Sequence, residues 1–235
     1  MPSVLVTGAS RGIGLELARQ YAADDWQVIA CARAPERAHE LQQLASHSRG
    51  ELRVEALDVT DFVAIDALAK RLAGRTIDVL INCAGSMGQG SSGWSGFGKS
   101  DLALWDGMFR LNTYAPLKMA EALVTHVAAS GQKKIINLST VMASLARNTL
   151  GGFYAYRASK AALNAITVSL AVDLGRRHGI LAAALHPGWV RTDMGGPRAE
   201  IDARTSVTGL RQVIAALDRA RSGRFWSYDG TELPW

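Results

Sequence analysis

VLVTGASRGIG, from Val4 to Gly14, is the stretch whose reading decides the fold. Val4 to Val6 make an apolar run that opens a strand. Gly8, Gly12 and Gly14 follow in the spacing Gly-x-x-x-Gly-x-Gly, and helical periodicity begins at Ile13. Glycine permits a tight turn and lets the main chain approach a ligand, while the first turn of a helix offers unpaired N–H groups and the positive end of its dipole. A strand, a glycine turn and a helix start in that order form a cradle for a pyrophosphate, a more specific signal than the glycines alone. Ser10, Arg11 and Ile13 lie in the same turn and belong to the candidate site.

Outward from this turn, apolar runs of strand length alternate with amphipathic segments of helix length. Strands are expected at Ser3 to Thr7, Gln27 to Ala32, Leu52 to Ala56, Val79 to Asn82, Lys134 to Leu138 and Leu181 to Leu185, with a last one near Phe225 to Tyr228. Helices are expected at Ile13 to Ala23, Pro35 to Ala45, Phe62 to Leu72, Asp101 to Ala129 (two, or one bent) and Tyr154 to Arg177. Strands such as VLIN (Val79 to Asn82) lack apolar–polar alternation, which implies burial on both faces. The expected fold is a single α/β domain over residues 1–235, a Rossmann fold with a doubly wound sheet of seven parallel strands and helices on both faces. Ligands of such sheets bind beyond the carboxyl ends of the strands.

Sites that select NAD carry a carboxylate at the end of the second strand, bonded to the adenosine 2′-hydroxyl. Here Ala32 occupies that position and Arg33 follows, while Asp24 and Asp25 lie at the strand's other end. Arg33, with Arg11 as a second guanidinium, suits a 2′-phosphate, so NADP(H) is expected over NAD(H).

The run YRASK places Tyr156 and Lys160 four residues apart, on one helix face. An ammonium beside a phenol favours the phenolate and draws its pKa down from about 10 towards the range of a working general acid. Tyr154 lies about 240° around the helix from Lys160 and should take no part. A nucleotide held beside such an acid points to hydride transfer.

Composition narrows the alternatives. With 48% hydrophobic residues the chain can bury a sizeable core, and no stretch approaches the ~20 apolar residues that span a bilayer, so no membrane partner is expected. The net charge of +5, from 26 basic and 21 acidic residues, is scattered, so nucleic acid is not an expected partner either. His39, His47, His126, His178 and His186 show no metal-ligand spacing, and Cys31 and Cys83 are expected as reduced thiols. The N-terminus runs straight into the first strand, which reads as a mature, cytoplasmic chain. The segment SMGQGSSGWSGFGKS (Ser86 to Ser100) reads as a linker or as the rim of the active site, with Trp94 and Phe97 as candidate substrate contacts.

Together these motifs resemble the short-chain dehydrogenase/reductase family. The likeness runs through TGASRGIG, LDVTD (Leu57 to Asp61), NCAG (Asn82 to Gly85), Asn112, INLST (Ile136 to Thr140), YRASK and HPGWVRTDM (His186 to Met194), in family order. YAYRASKAALN, PGWVRTDMGG and the tail YDGTELPW look most like its C-factor and Sniffer-type carbonyl reductase branch. The resemblance implies that Asp58 and Val59 flank the adenine, and that Asn82, Ala84 and Gly85 line the cofactor. Pro187, Gly188, Val190 and Thr192 would hold the nicotinamide end. Lys160 would bond the nicotinamide ribose, and Asn112 would hold a water in a proton relay. A homodimer or homotetramer is implied as well.

Two departures stand out: Cys83 replaces a usual asparagine, and the substrate-orienting serine aligns with Thr140, preceded by Ser139. Neighbouring strand residues face opposite sides, so one of the two reaches substrate. The connection from there to Tyr156 is also longer than usual, with the extra in ARNTLGG (Ala146 to Gly152). The expected activity is interconversion of a ketone or aldehyde and an alcohol, with hydride from NADPH and a proton from Tyr156. The alternative is a protein that binds NADP for signalling or assembly without turnover.

Overall fold

Strand β1 (Ser3–Thr7), buried along its whole length, sits inside a parallel sheet. A computed structural model of the chain describes residues 1–48, 51–88 and 96–235. The strands are β1, β2 (Gln27–Ala32), β3 (Leu52–Ala56), β4 (Val79–Asn82), β5 (Lys134–Leu138), β6 (Leu181–His186) and β7 (Phe225–Ser227). They pair in the order β3-β2-β1-β4-β5-β6-β7, and every pairing is parallel. The expected seven-stranded sheet is therefore present.

Helices cover both faces because alternate strand residues point opposite ways. Val4, Val6, Val79, Ile81 and Ile136 pack with α1 (Gly12–Ala23), α2 (His39–His47) and α7 (Ala203–Ala215). Leu5, Leu80, Ile135 and Ala182 pack with α3 (Phe62–Arg71), α5 (Ala115–Ala128) and α6 (Tyr154–His178). A fully buried leucine or isoleucine stabilises the fold by about 1.5–3 kcal/mol, so these two apolar layers account for most of what holds the sheet.

Two elements depart from expectation, and a third resolves an alternative that the sequence left open. The helix expected over Pro35 to Ala45 is a 3₁₀ turn, Pro35–Arg37, followed by α2 after Ala38 leaves helical geometry. The long segment after Asp101 divides into α4 (Ala103–Phe109), a π-helical turn (Arg110–Tyr114) and α5. Helix α7 was not expected. Gly209 and several β-branched residues weaken its intrinsic preference, yet Asp202 caps it and Val207, Leu210, Val213 and Ile214 are buried. Gly209 is needed for packing: a Cβ there would lie 2.3 Å from the Tyr228 carbonyl oxygen.

The strand order reverses between β1 and β4, opening a crevice at their carboxyl ends. Thr7 braces it, its Oγ1 accepting from the N–H groups of Cys83 (3.0 Å) and Ala84 (3.1 Å). No helix among the described residues is long and apolar enough to cross a membrane.

Candidate active site

At the end of β1 the chain turns at Gly8 (φ 69°) and again at Gly12 (φ 56°), both in the left-handed region that glycine tolerates. A Cβ on Gly14 would lie 2.2 Å from the Gly8 carbonyl oxygen, and one on Gly8 would lie 2.9 Å from the Ala84 Cα. Side chains are thereby excluded from the floor of the turn. Arg11, the residue before α1, is extended and supplies no side-chain cap, so the first N–H groups of the helix, with Ser10 and Ile13 beside them, have no side-chain acceptor from that residue. The turn has the space and the donors a dinucleotide pyrophosphate requires.

Gly85 joins this cradle to the acid. A Cβ there would lie 3.3 Å from Lys160 Nζ and 3.2 Å from Asn112 Oδ1, so the end of β4 runs directly past both side chains. Lys160 and Tyr156 project from α6 and are buried. Nζ donates to the Leu138 carbonyl oxygen (2.8 Å). Burial without a carboxylate partner pulls the Lys160 pKa down to about 8, with the nearby Cys83 acting in the opposite direction.

Tyr156 does not behave as expected. Burial pushes its phenol up to about 12, and the group that favours the phenolate is the Thr140 hydroxyl rather than Lys160. The Lys160 ammonium has three donors and gives one of them to this main-chain carbonyl. Thr140 Oγ1 accepts from the Met142 N–H (3.2 Å), which leaves its own proton available for the phenol or for another oxygen beside it.

Ser139 faces away from this centre: its hydroxyl donates to Asn164 Oδ1 (2.7 Å) beneath α6. Of the two hydroxyls left open by the sequence, Thr140 is the one next to Tyr156, and Ser139 is bonded to Asn164. Asn112 lies in the π-helical turn, fully buried. Its amide donates to the Ser86 carbonyl oxygen (2.8 Å) and the Ser159 hydroxyl (3.1 Å), and its Oδ1 accepts from the Ser86 N–H (2.9 Å). Both amide protons are used, so any water would have to sit on Oδ1 or on the main chain.

Asp58 Oδ1 accepts from the Thr60 N–H and hydroxyl at the end of β3, with Val59 buried beside it. Burial raises the Asp58 pKa, but the Thr60 bonds and then Arg33 and Arg110 outweigh that and leave it lowered. Asn82 is internal, donating to Asn137 Oδ1 (2.9 Å) and the Pro116 carbonyl oxygen (3.4 Å); it braces β4 against β5. Arg33 is exposed just past the end of β2, and among the described residues it has no ion-pair partner. Arg11 pairs with Asp193 (2.7 Å), closing the glycine turn against the segment after β6.

That segment is near the cradle. Thr192 Cγ2 would lie 3.2 Å from a Cβ on Gly12, and Val190 bridges to Ile201. Pro187 accepts from the Ser206 hydroxyl (2.5 Å), and Gly188 (φ 83°) packs on Ile201 and Tyr228. Phe97 is almost fully exposed; Trp94 lies outside the described residues. Cys31 and Cys83 are free thiols. Sequence reasoning missed the Ser159 bond to Asn112, although Ser159 lies within YRASK, and it missed Arg110. The Arg110 guanidinium covers the Phe62 ring at 4.2 Å and donates to the Thr60 carbonyl oxygen, tying the Asp58 loop to the turn that holds Asn112.

Known proteins share this fold. A solved structure described as the carbonyl reductase Sniffer of D. melanogaster superposes with a TM-score of 0.92 at 34% identity, each chain covered fully. The NADPH-bound carbonyl reductase from chicken fatty liver gives a TM-score of 0.90 at 35% identity, covering 100% of this chain and 99% of the other. The curated protein C-signal of Myxococcus xanthus is 43% identical over 169 residues, which is 72% of this chain and 99% of the relative. The family model described as short chain dehydrogenase matches residues 2–202. The chain belongs to the short-chain dehydrogenase/reductase family of oxidoreductases and is Sniffer- and C-signal-like within it.

Proposed function

We propose that this protein is an NADP(H)-dependent carbonyl reductase in which Tyr156 is the general acid. One observation carries the reading: contacts from Gly8 to Ala84, then from Gly85 to Lys160 and Asn112, join a pyrophosphate cradle to a buried phenol with a hydroxyl beside it. The residues placed to hold the cofactor are Gly8, Ser10, Gly12, Ile13 and Gly14 at the pyrophosphate, Asp58 and Val59 at the adenine, and Ala84, Gly85 and Thr192 further along. Bound NADPH would supply the hydride to the carbonyl carbon. Tyr156, kept protonated by its burial, gives its proton to the carbonyl oxygen as charge develops there, a contribution of roughly 10²–10⁴-fold. Thr140 donates to the same oxygen and stabilises that charge without moving. Lys160 supplies a cation and a donor where the ribose of the cofactor would lie, and Asn112 holds the Ser86 main chain at the rim.

NADP is supported over NAD by Arg33, an exposed guanidinium past the end of β2 with Ala32, not a carboxylate, before it. The NADPH named for the chicken enzyme agrees with that. Replacing Tyr156 by Phe should abolish NADPH oxidation with diketones and quinones while the dissociation constant for NADPH changes less than about twofold. An active Tyr156→Phe protein would remove the assignment.

The name of the C-signal relative favours a second reading, a dinucleotide-binding signalling protein without turnover. Tight NADPH binding with no oxidation across a broad carbonyl panel would establish it in place of the first.

A further inference from the structure

The connection from Thr140 to Tyr156 is held from an unexpected direction. Ala146 N–H (3.0 Å) and the Ser144 hydroxyl (3.1 Å) both donate to the main-chain oxygen of Trp235, about ninety residues further along the chain. Ser144 is buried, and its Oγ also accepts from the Arg147 N–H (3.2 Å). The Trp235 ring stacks on Phe225 of β7, centroids 5.6 Å apart and planes 13° apart. Leu233 is buried, and its N–H donates to the Phe225 carbonyl oxygen (2.8 Å). The tail is thus fastened to the sheet at one end and to this loop at the other.

Elsewhere the loop has little to hold it. Apart from the Arg157 guanidinium of α6, which donates to the Met142 carbonyl oxygen (2.9 Å), its remaining hydrogen bonds among the described residues are local, such as Asn148 N–H to the Leu145 carbonyl oxygen and Gly151 N–H to Asn148 Oδ1. Its far end runs through Gly151 (φ 63°), Gly152 (φ 64°) and Phe153 (φ 51°), three consecutive left-handed residues that form a hinge in front of α6. Leu145 and Leu150 are 77% and 90% exposed.

We infer that Trp235 is a positioning residue that sets residues 145–152 as the apolar wall of the substrate site, so that it selects carbonyl compounds with a bulky apolar substituent. This rests on the proposed reductase activity, because the loop's two ends carry the groups assigned to the carbonyl oxygen. Met142 and Phe153, near the two ends of the loop, pack against the cluster that contains Tyr156, so a carbonyl held between Thr140 and Tyr156 would have its substituent alongside those ends. Leu145 and Leu150 would lose water on contact with it, and a loop already held by Trp235 would not have to be ordered at each binding event.

The test pairs amide exchange on the free protein with kinetics on a small and a bulky diketone, diacetyl and benzil. In Trp235→Ala, exchange at Ala146 and Arg147 should quicken about tenfold or more while α6 is unchanged. KM for benzil should rise about tenfold, with kcat, KM for diacetyl and NADPH affinity each within about twofold of wild type. Trp235→Phe, which keeps an aromatic stack, should restore both. Unchanged loop exchange, or an equal KM rise for both diketones, would overturn the inference. Should Trp235→Ala not fold, Ser144→Ala removes one of the two bonds to the Trp235 oxygen and should quicken exchange at Ala146, whose N–H makes the other; no change there also overturns it. Wild-type protein inactive on every carbonyl tried would defeat the reductase reading instead, while the exchange experiment still decides the clamp.

Discussion

Lys160 is a buried cation at the centre of the site. It has a main-chain carbonyl rather than a carboxylate as its partner, and its lowered pKa records the penalty of burial. A buried cation without a counter-ion destabilises the fold that needs it for function. Lys160→Met should therefore raise the melting temperature of the free protein by about 2–4 °C, roughly 1 kcal/mol, while abolishing turnover. Calorimetry and an NADPH oxidation assay would check both. His186, at the end of β6, makes a separate prediction. Burial drops its pKa to about 4, with Asp229 opposing and Arg147 assisting. Between about pH 6.5 and 4 the unfolded chain takes up a proton that the folded chain refuses. Stability should fall as pH drops through that window, by up to about 3 kcal/mol, and level off below it. Urea midpoints of wild type and His186→Gln should differ in their pH slope there and nowhere else. At this scale strand alternation separates Ser139 and Thr140 onto opposite sides. Which of them lies next to Tyr156 depended on Asn164, twenty-odd residues away, accepting from Ser139.

Among the elements, the π-helical turn Arg110–Tyr114 has the clearest functional consequence. One extra residue per turn shifts Asn112 relative to α4 and lets its amide reach both Ser86 and Ser159. Deleting Leu111 should return the segment to regular α-helix and rotate Asn112 away. The expected result is a loss of about 10²-fold or more in kcat/KM with little change in far-UV circular dichroism. A variant of near wild-type activity would show that the turn has no role in positioning. Sequence periodicity found a long helical segment here but could not locate the π turn, because a single inserted residue barely disturbs an apolar pattern. Helix α7 was missed for the opposite reason: its pattern is present, but Gly209 and its β-branched residues obscure it until the packing on Tyr228 and α1 is seen.

For the whole molecule, the reversal of strand order between β1 and β4 decides where a dinucleotide can lie. A ligand that binds only the folded chain raises its stability by about 2.7 kcal/mol at a hundred times its dissociation constant. NADP⁺ should raise the melting temperature, NAD⁺ at equal concentration should raise it less, and Arg33→Ala should remove most of the difference. Equal shifts from both nucleotides in wild type would refute the preference.

The strands, the glycine turn and the Tyr156–Lys160 pair were readable from sequence because each depends on local spacing: two residues for a strand, four for a helix turn, a glycine wherever φ turns positive. Several features were decided only in three dimensions. These were the direction of Lys160 towards Leu138, the choice of Thr140, the Arg11–Asp193 pair and the hold of Trp235 on the loop before Tyr156. Each joins residues that are distant in sequence or lies with a buried neighbour on another element. Local periodicity contains no term for such contacts; the packing of helices on the sheet creates them.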